Sequence, residues 1–156
     1  MHKYRYWRTL PHLQKTNRPI FVTFSTHRRW ILSPPARQTV LECCAGEHGR
    51  TIDLHISLVM PDHVHLIFTP LMDSEGWPCC LPDIMRRIKS RSAVEVNRIL
   101  RRQGRVWQNE SFDHVLRSNE SLADKMDYIR QNPVRAGIAT EDQAYAWLRC
   151  GPVPVI

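Results

Sequence analysis

Residues 51–68 read TIDLHISLVMPDHVHLIF, two apolar runs separated by a short turn at Pro61-Asp62. In the first run, bulky apolar side chains alternate with polar ones, the pattern of a strand that buries one face. The apolar positions that would share that face are Ile52, Leu54, Ile56 and Leu58. Because the turn is short and the second run is also strand-like, the stretch predicts a β-hairpin.

The second strand of this hairpin carries His63 and His65, one residue apart. Side chains alternate along a strand, so both imidazoles point to one face while Val64 points to the other. A buried imidazole needs hydrogen-bond partners that a hydrocarbon side chain does not need. The pair therefore either faces solvent by chance or faces a functional site, and two imidazoles on a rigid strand suit a metal ion.

Strand and helix patterns flank the hairpin on both sides. Residues 20–26, IFVTFST, predict a strand, and a helix is predicted from Pro34 to about Gly49. A long amphipathic helix is expected from Pro82 to Gly104, followed by an extended segment, VWQNESFDHVLR. A last helix is predicted to end before Pro133.

This order of elements predicts an α+β, ferredoxin-like fold. Such a fold has an antiparallel sheet with helices on one face, and here an additional C-terminal helix. With 156 residues and 42% apolar side chains, the chain fits one domain over residues 1–156. We expect a basic N-terminal arm at residues 1–18 and an irregular tail at residues 137–156.

Composition also bears on the compartment. The sequence lacks a run of apolar residues long enough to span a membrane, and its first residues lack the apolar core of a secretory signal. Its five cysteines form no C-x-x-C pair, which favours a reducing compartment. We therefore expect a cytoplasmic protein with no membrane partner.

The net charge of +7 is concentrated in two regions. Residues 1–41 contain basic side chains and not one Asp or Glu, and residues 82–105 carry many arginines against Asp83 and Glu95. Segregated positive charge suggests a polyanionic partner, most simply nucleic acid. A solvated helix face with a basic arm explains the charge equally well.

Tyr128 and Asn132 lie four residues apart in the last predicted helix, so they share one side of it. Each has an ordinary interpretation, since a tyrosine at the edge of a core is usually packing and Asn132 precedes a proline. Together with the histidine pair, however, they suggest a composite site.

These residues carry a resemblance to a known family. His63-Val64-His65 is similar to the histidine–hydrophobic–histidine motif of the HUH superfamily of single-strand endonucleases. WQNESFDHVLR followed by DYIRQNPVRAG resembles the REP-associated tyrosine transposases, relatives of the single-tyrosine insertion-sequence transposases. The resemblance extends over nearly the whole chain and implies an enzyme, a tyrosine transposase that cuts and rejoins single-stranded or hairpin DNA through a 5′-phosphotyrosine intermediate.

The resemblance also implies residue roles. Tyr128 matches the nucleophile, and His63, His65 and Asn132 match the metal site, with Gln131 as the alternative third ligand. The cofactor would be Mg²⁺ or Mn²⁺. The residues expected to bind nucleic acid are Arg28, Arg29, Arg86, Arg87, Lys89 and Arg91. Insertion-sequence relatives are dimers and REP-associated ones are thought to be monomers, so both states stay open.

Two other functions are considered. A non-catalytic ferredoxin-like domain that binds single-stranded nucleic acid would stack bases on FVTF aromatics. A structural zinc protein would use His63 and His65 with Cys79 and Cys80, although adjacent cysteines chelate one ion poorly. Asp113 and His114 are interpreted as a surface polar pair and not as a general base.

Overall fold

A computed structural model of the chain describes residues 18–117 and 120–151. The elements, in chain order, are strand β1 (Ile20–Thr26), a 3-10 turn (His27–Arg29), helix α1 (Pro34–Gly46), strands β2 (Ile52–Val59) and β3 (His63–Pro70), helix α2 (Leu81–Leu100), strand β4 (Trp107–Val115), helix α3 (Leu122–Arg135) and strand β5 (Leu148–Cys150). Apart from Arg18, the predicted basic arm lies outside the described residues. In the part of the chain that is described, no helix is long and apolar enough to cross a membrane.

The five strands form one antiparallel sheet in the order β4-β1-β3-β2-β5. The first four strands have the ferredoxin-like order, so the fold prediction is confirmed. Strand β3, which carries the histidines, lies at the centre between β1 and β2. The prediction of an irregular tail is wrong at Leu148–Cys150, because this segment satisfies backbone groups along the edge of β2.

The sheet is covered on both faces. Helices α1 and α2 pack on one face, where the main core gathers side chains from β1 and β3 such as Val22, Val64 and Leu66. Ile129 of α3 instead packs with Ile67 and other side chains of a second, smaller cluster. Since Leu66 and Ile67 are consecutive on one strand, the two clusters lie on opposite faces. The additional C-terminal helix therefore covers the face that α1 and α2 leave open.

Strand β2 does not keep its apolar residues on one face, as its alternating sequence predicts. A register shift separates Leu54, which pairs with Phe68, from Ile56, which pairs with Ile67. Such a bulge adds one residue to a strand and moves the following side chains to the other face. Leu54 thus belongs to the main core, and Ile56 and Leu58 belong to the smaller cluster.

Helix α3 begins after Ser121, whose hydroxyl accepts a hydrogen bond from the Asp124 amide at 3.2 Å. The prediction that it ends before Pro133 is wrong, since the helix continues to Arg135. Proline lacks one helical hydrogen bond, but its ring is buried here and its carbonyl accepts from the Ile138 amide at 3.0 Å. Asn132 therefore lies within the helix and not at its end.

Candidate functional site

His65 lies at the centre of the sheet with only 9% of its surface exposed. Its register partner on β1 is Thr23, whose hydroxyl oxygen lies 2.7 Å from Nδ1 of the imidazole. The ring also stacks on Phe21, with the ring centres 5.5 Å apart. The sheet register thus fixes both the position and the orientation of this histidine.

His63 is oriented by the residue that precedes it. Its Nδ1 lies 2.7 Å from a carboxylate oxygen of Asp62, and the second oxygen of that carboxylate accepts a hydrogen bond from Nε of Arg29 at 3.0 Å. Arg29 also donates to the Ser25 hydroxyl at 2.8 Å. Burial alone would raise the pKa of Asp62, but the His63 hydrogen bond and the Arg29 charge outweigh burial and lower it.

Asn132 connects helix α3 to this pair. Its amide nitrogen Nδ2 lies 3.3 Å from Nε2 of His65. Nδ2 is a donor only, so Nε2 accepts and the proton of the neutral ring sits on Nδ1, which donates to Thr23. The Nε2 lone pair of His65 is thereby directed at Asn132.

His65 is uncharged at neutral pH. Burial, followed by repulsion from His63, Arg135 and Lys125, lowers the pKa of its imidazole to about 4. A neutral imidazole keeps a lone pair free to bind a cation, whereas a protonated one does not. His65 is therefore able to accept a hydrogen bond or bind a cation over the whole physiological pH range.

Tyr128 lies one helical turn before Asn132, a distance of about 6 Å along the helix axis. It is 52% exposed. The guanidinium of Arg135 lies 4.3 Å from the centre of its ring and the ammonium of Lys125 lies 5.3 Å from it. Arg135 also donates to the Tyr128 carbonyl at 2.8 Å. An accessible phenol is thus flanked by two cations, an arrangement that attracts a phosphate.

The residues fit a divalent cation through one nitrogen of each histidine. Metal-bound histidines commonly donate their other N–H to a carboxylate or another oxygen acceptor, and Asp62 and Thr23 supply such acceptors here. Nε2 of each ring and the oxygen of the Asn132 amide would then face the cation. Within the described ranges, no three His, Cys, Asp or Glu side chains form a metal site, so the rest of the coordination shell would come from water or phosphate oxygens.

The other predicted ligands lie elsewhere. Gln131 is exposed and borders a separate cleft of about 360 Å³ with Thr140 and Tyr145. Cys79 packs against the main core, on the face of the sheet opposite the histidines, and the buried Cys80 directly precedes α2. The structure therefore brings Asn132 to His65, and it places neither Gln131 nor the cysteine pair beside it.

The predicted nucleic-acid-binding residues occupy two places. Arg28 and Arg29 lie in the 3-10 turn after β1, where Arg28 is exposed and Arg29 holds Asp62. The other four lie on α2, across the sheet from the site. Of these, Arg86, Arg87 and Arg91 border an open groove of about 470 Å³, together with Glu47 at the end of α1.

Of these four cations, Arg86 pairs with Asp83 at 3.5 Å on the surface of the same helix, and two others bind partners in other elements. Nε of Arg87 donates to Glu47 at 2.7 Å, and Glu47 is almost completely buried. The Lys89 ammonium donates to the backbone carbonyls of Gln108 and Asn109 at 2.5 and 3.2 Å. Burial lowers the pKa of this lysine, and the charge of Arg105 adds to the effect. These two side chains hold elements together.

Sequence reasoning missed four residues of the site, and the sequence carries a signal for three of them. Asp62 directly precedes the histidine strand, whereas Thr23 is identified only by the pairing of β1 with β3. Lys125 and Arg135 lie three residues before Tyr128 and three after Asn132, a 3-4-3 spacing that places all four on one side of a helix. A basic residue that shares a helix face with a suspected nucleophile is therefore a signal for further residues of the site.

Comparison with known proteins identifies relatives in sequence and in fold. No protein-family model matches the chain. A Haemophilus influenzae protein named as a REP-associated tyrosine transposase is 26% identical over 84 residues, 51% of this chain. The match spans 48% of that relative, so the chain covers about half the length of the curated relative it resembles.

Two solved structures share the fold. A REP-associated tyrosine transposase bound to a REP hairpin superposes with a TM-score of 0.62 at 21% identity, over 81% of this chain and 72% of the other. A bacterial tRNA(His) guanylyltransferase-like protein in complex with GTP superposes with a TM-score of 0.53 at 13% identity, over 90% and 77%. The second likeness shows that this fold serves more than one activity. The named relative and the first of these structures confirm the predicted resemblance of this chain to the REP-associated tyrosine transposases.

Proposed function

We propose that the chain is a metal-dependent single-strand DNA endonuclease and strand transferase that acts on hairpin-containing DNA. The contact between Asn132 and His65 carries this proposal, since it sets the helix with Tyr128 against the oriented histidine pair. Two imidazoles of β3 lie beside the amide of α3 on one face of the sheet, and the phenol lies about one helical turn from that amide on the same helix. A domain that only binds nucleic acid does not need this combination.

The proposed reaction is attack of the Tyr128 oxygen on a backbone phosphorus. A bond forms between phosphorus and the phenolic oxygen, and the bond from phosphorus to the 3′-oxygen of the neighbouring nucleotide breaks. The phenol loses its proton and the leaving oxygen gains one, which yields a 5′-phosphotyrosine and a free 3′-hydroxyl. The number of phosphoester bonds is unchanged, so the same step can run backwards or join a different strand.

The residues around Tyr128 have separate roles in this proposal. Lys125 and Arg135 flank the phenol, where their charges would hold the phosphate and stabilise the developing phenolate. Asn132 and the two histidines would hold Mg²⁺ or Mn²⁺, with Asp62 and Thr23 keeping the rings in place. A divalent cation, when bound, withdraws charge from the scissile phosphate and favours in-line displacement.

Hairpin DNA is the proposed substrate because the similar transposase structure contains a REP hairpin. The exposed Arg86 and Arg91 on α2 are proposed to contact a second part of such a substrate, since a folded DNA can reach around the edge of the sheet. These contacts would position the DNA without reading its sequence.

The test is incubation of the protein with a labelled hairpin library that carries single-stranded flanks, with Mn²⁺ or Mg²⁺. We expect cleavage and a covalent protein–DNA adduct that maps to Tyr128. Tyr128→Phe should lose both and keep its DNA affinity, because only one hydroxyl is removed. Tyr145→Phe is the matched control, since that hydroxyl donates to the Val59 carbonyl. Adduct formation by Tyr128→Phe would overturn the assignment, and DNA binding without metal-dependent cleavage would favour a non-catalytic domain.

A further inference from the structure

We propose that Phe112 is a stacking platform for an unpaired base of the DNA strand that passes Tyr128. This inference rests on the proposed function, because it assumes that a single strand enters the site. It assigns a substrate-positioning role to a residue on the edge of the sheet, outside the histidine, tyrosine and amide set.

The sheet register places Phe112 in line with the site. Phe112 on β4 pairs with Thr23 on β1, and Thr23 pairs with His65 on β3. Residues opposite one another in an antiparallel sheet project from the same face. Phe112 therefore lies on the face that carries the histidines, two strands away from His65.

Aromatic rings and a cation connect Phe112 to the nucleophile. The rings of Phe112 and Phe21 pack edge to face, with their centres 6.2 Å apart. The ammonium of Lys125 lies 4.9 Å from the centre of the Phe21 ring and 5.3 Å from that of Tyr128. A phosphate bound at Lys125 would thus have Tyr128 on one side and the Phe112 ring within reach on the other.

The exposure of Phe112 requires an explanation. Phe21 in the same pair is 8% exposed, whereas Phe112 is 60% exposed, although it lies on a regular strand. A large apolar ring held by its neighbour and open to solvent on its remaining surface is well suited to receive the flat face of a base. Base–aromatic stacking requires no particular base, so it suits a strand held by phosphate contacts.

A single strand fits this surface better than a protein partner does. Lys125, which lies over the neighbouring Phe21 ring, is complementary to a phosphate backbone, and its contact with Tyr128 makes the surface continuous with the proposed site. A duplex cannot use the platform, because its bases are stacked on one another and present only their edges. A second copy of the chain that packs on Phe112 is the competing occupant and is treated as an outcome of the test.

The experiment measures the affinity of the full chain for a fluorescein-labelled thymidine oligonucleotide and for a duplex of the same length, in EDTA so that no strand is cut. Phe112→Ala should weaken binding to the single strand by about five- to a hundredfold. Duplex binding should be unchanged. Phe112→Trp should restore the affinity, and Phe112→Leu should not. Met72→Ala is the control, since Met72 is 51% exposed and lies in the loop between β3 and α2.

Unchanged single-strand affinity in Phe112→Ala would overturn the platform, and so would full rescue by Phe112→Leu. Weakened self-association of Phe112→Ala in sedimentation, without a change in DNA affinity, would assign the ring to a protein contact and also overturn it. The adduct assay reports on Tyr128 separately. If the wild-type protein forms the adduct and Phe112→Ala keeps its single-strand affinity, only the platform is overturned. If Phe112→Ala loses single-strand affinity and no adduct forms, only the proposed cleavage is overturned.

Discussion

The amide nitrogen of Asn132 lies 3.3 Å from Nε2 of His65, and this contact joins α3 to the central strand of the sheet. The lone pair that accepts from Asn132 is the one that a cation would need. Cation binding therefore requires the Asn132 amide to turn its oxygen toward the ring nitrogen, a rotation of the side chain that leaves the helix in place. The two residues that would receive the proposed cation therefore also join α3 to the sheet.

Replacement of either histidine should remove metal binding and cleavage together. His63→Ala and His65→Ala each delete one of the two proposed nitrogen ligands, so heat release on titration with Mn²⁺ should largely disappear. His65→Ala should also lower the melting temperature, because that ring is nearly buried and stacks on Phe21. His55→Ala serves as the control imidazole, since His55 binds Thr69 on the same hairpin. Normal Mn²⁺ binding by both variants would show that the pair is incidental.

Asp62 should tune the affinity for metal without contacting the ion. Its carboxylate orients His63, and loss of such an outer partner typically costs about 10- to 100-fold in metal affinity. Asp62→Ala should therefore weaken Mn²⁺ binding by that factor, and Asp62→Asn should weaken it less because an amide oxygen can still accept from Nδ1. Equilibrium titration of both variants measures the difference, with Asp53→Ala as the control. Equal Mn²⁺ affinity of Asp62→Ala, Asp62→Asn and Asp53→Ala would contradict the positioning role of Asp62.

The exposed arginines of α2 should govern the salt dependence of DNA binding. Each phosphate that the protein no longer neutralises should reduce the slope of log affinity against log salt concentration by about 0.7 on a single strand. Replacing Arg86 and Arg91 together by Ala should flatten the slope and weaken all sequences alike. Arg98→Ala is a control on the same helix, because Arg98 donates two hydrogen bonds to Glu95 at 2.8 and 3.0 Å, a closer pair than Arg86 with Asp83 at 3.5 Å. An unchanged slope in the double variant would leave α2 as a solvated surface.

Lys89 should affect stability. Its ammonium donates to two backbone carbonyls of β4 that are exposed to solvent, so loss of these hydrogen bonds should cost about 0.5–1.5 kcal/mol. Lys89→Met keeps the apolar stem and lacks the charge, so comparison with Lys89→Ala separates the hydrogen bonds from packing. Urea unfolding of both variants should show a lower free energy of unfolding. If both variants unfold at the wild-type urea concentration, the lysine does not hold β4 to α2.

Much of the fold is predictable from local pattern, and the departures have physical causes. Alternating residues identify β1 and the hairpin, and helical spacing identifies α2. The face change within β2 depends on a bulge, which alternation alone cannot reveal because both faces of that strand are buried. The passage of α3 through Pro133 depends on burial of the proline ring, a tertiary effect that outweighs its local preference.

The candidate site divides in the same way. His63, His65, Tyr128 and Asn132 are identified by motif and spacing, and the structure brings Asn132 to His65. The roles of Asp62, Thr23 and Arg29 depend on which residues face each other across the sheet, information that a single sequence holds only indirectly. Two of the predicted phosphate contacts, Arg87 and Lys89, bind partners that are distant in sequence. A count of charges cannot distinguish such paired cations from cations that are available to DNA.

The helix that carries Tyr128 is attached to the sheet by a small cluster. Within α3 the buried residues are Ile129 and Pro133, whereas α2 buries Leu81, Ile84, Met85, Ile88, Ser92 and Val96. Elements with few buried contacts open by local unfolding at lower free energy than the whole domain. Amide protons of α3 should therefore exchange with deuterium faster than those of α2. Local opening of α3 would carry the proposed nucleophile away from the histidines while the sheet stays folded.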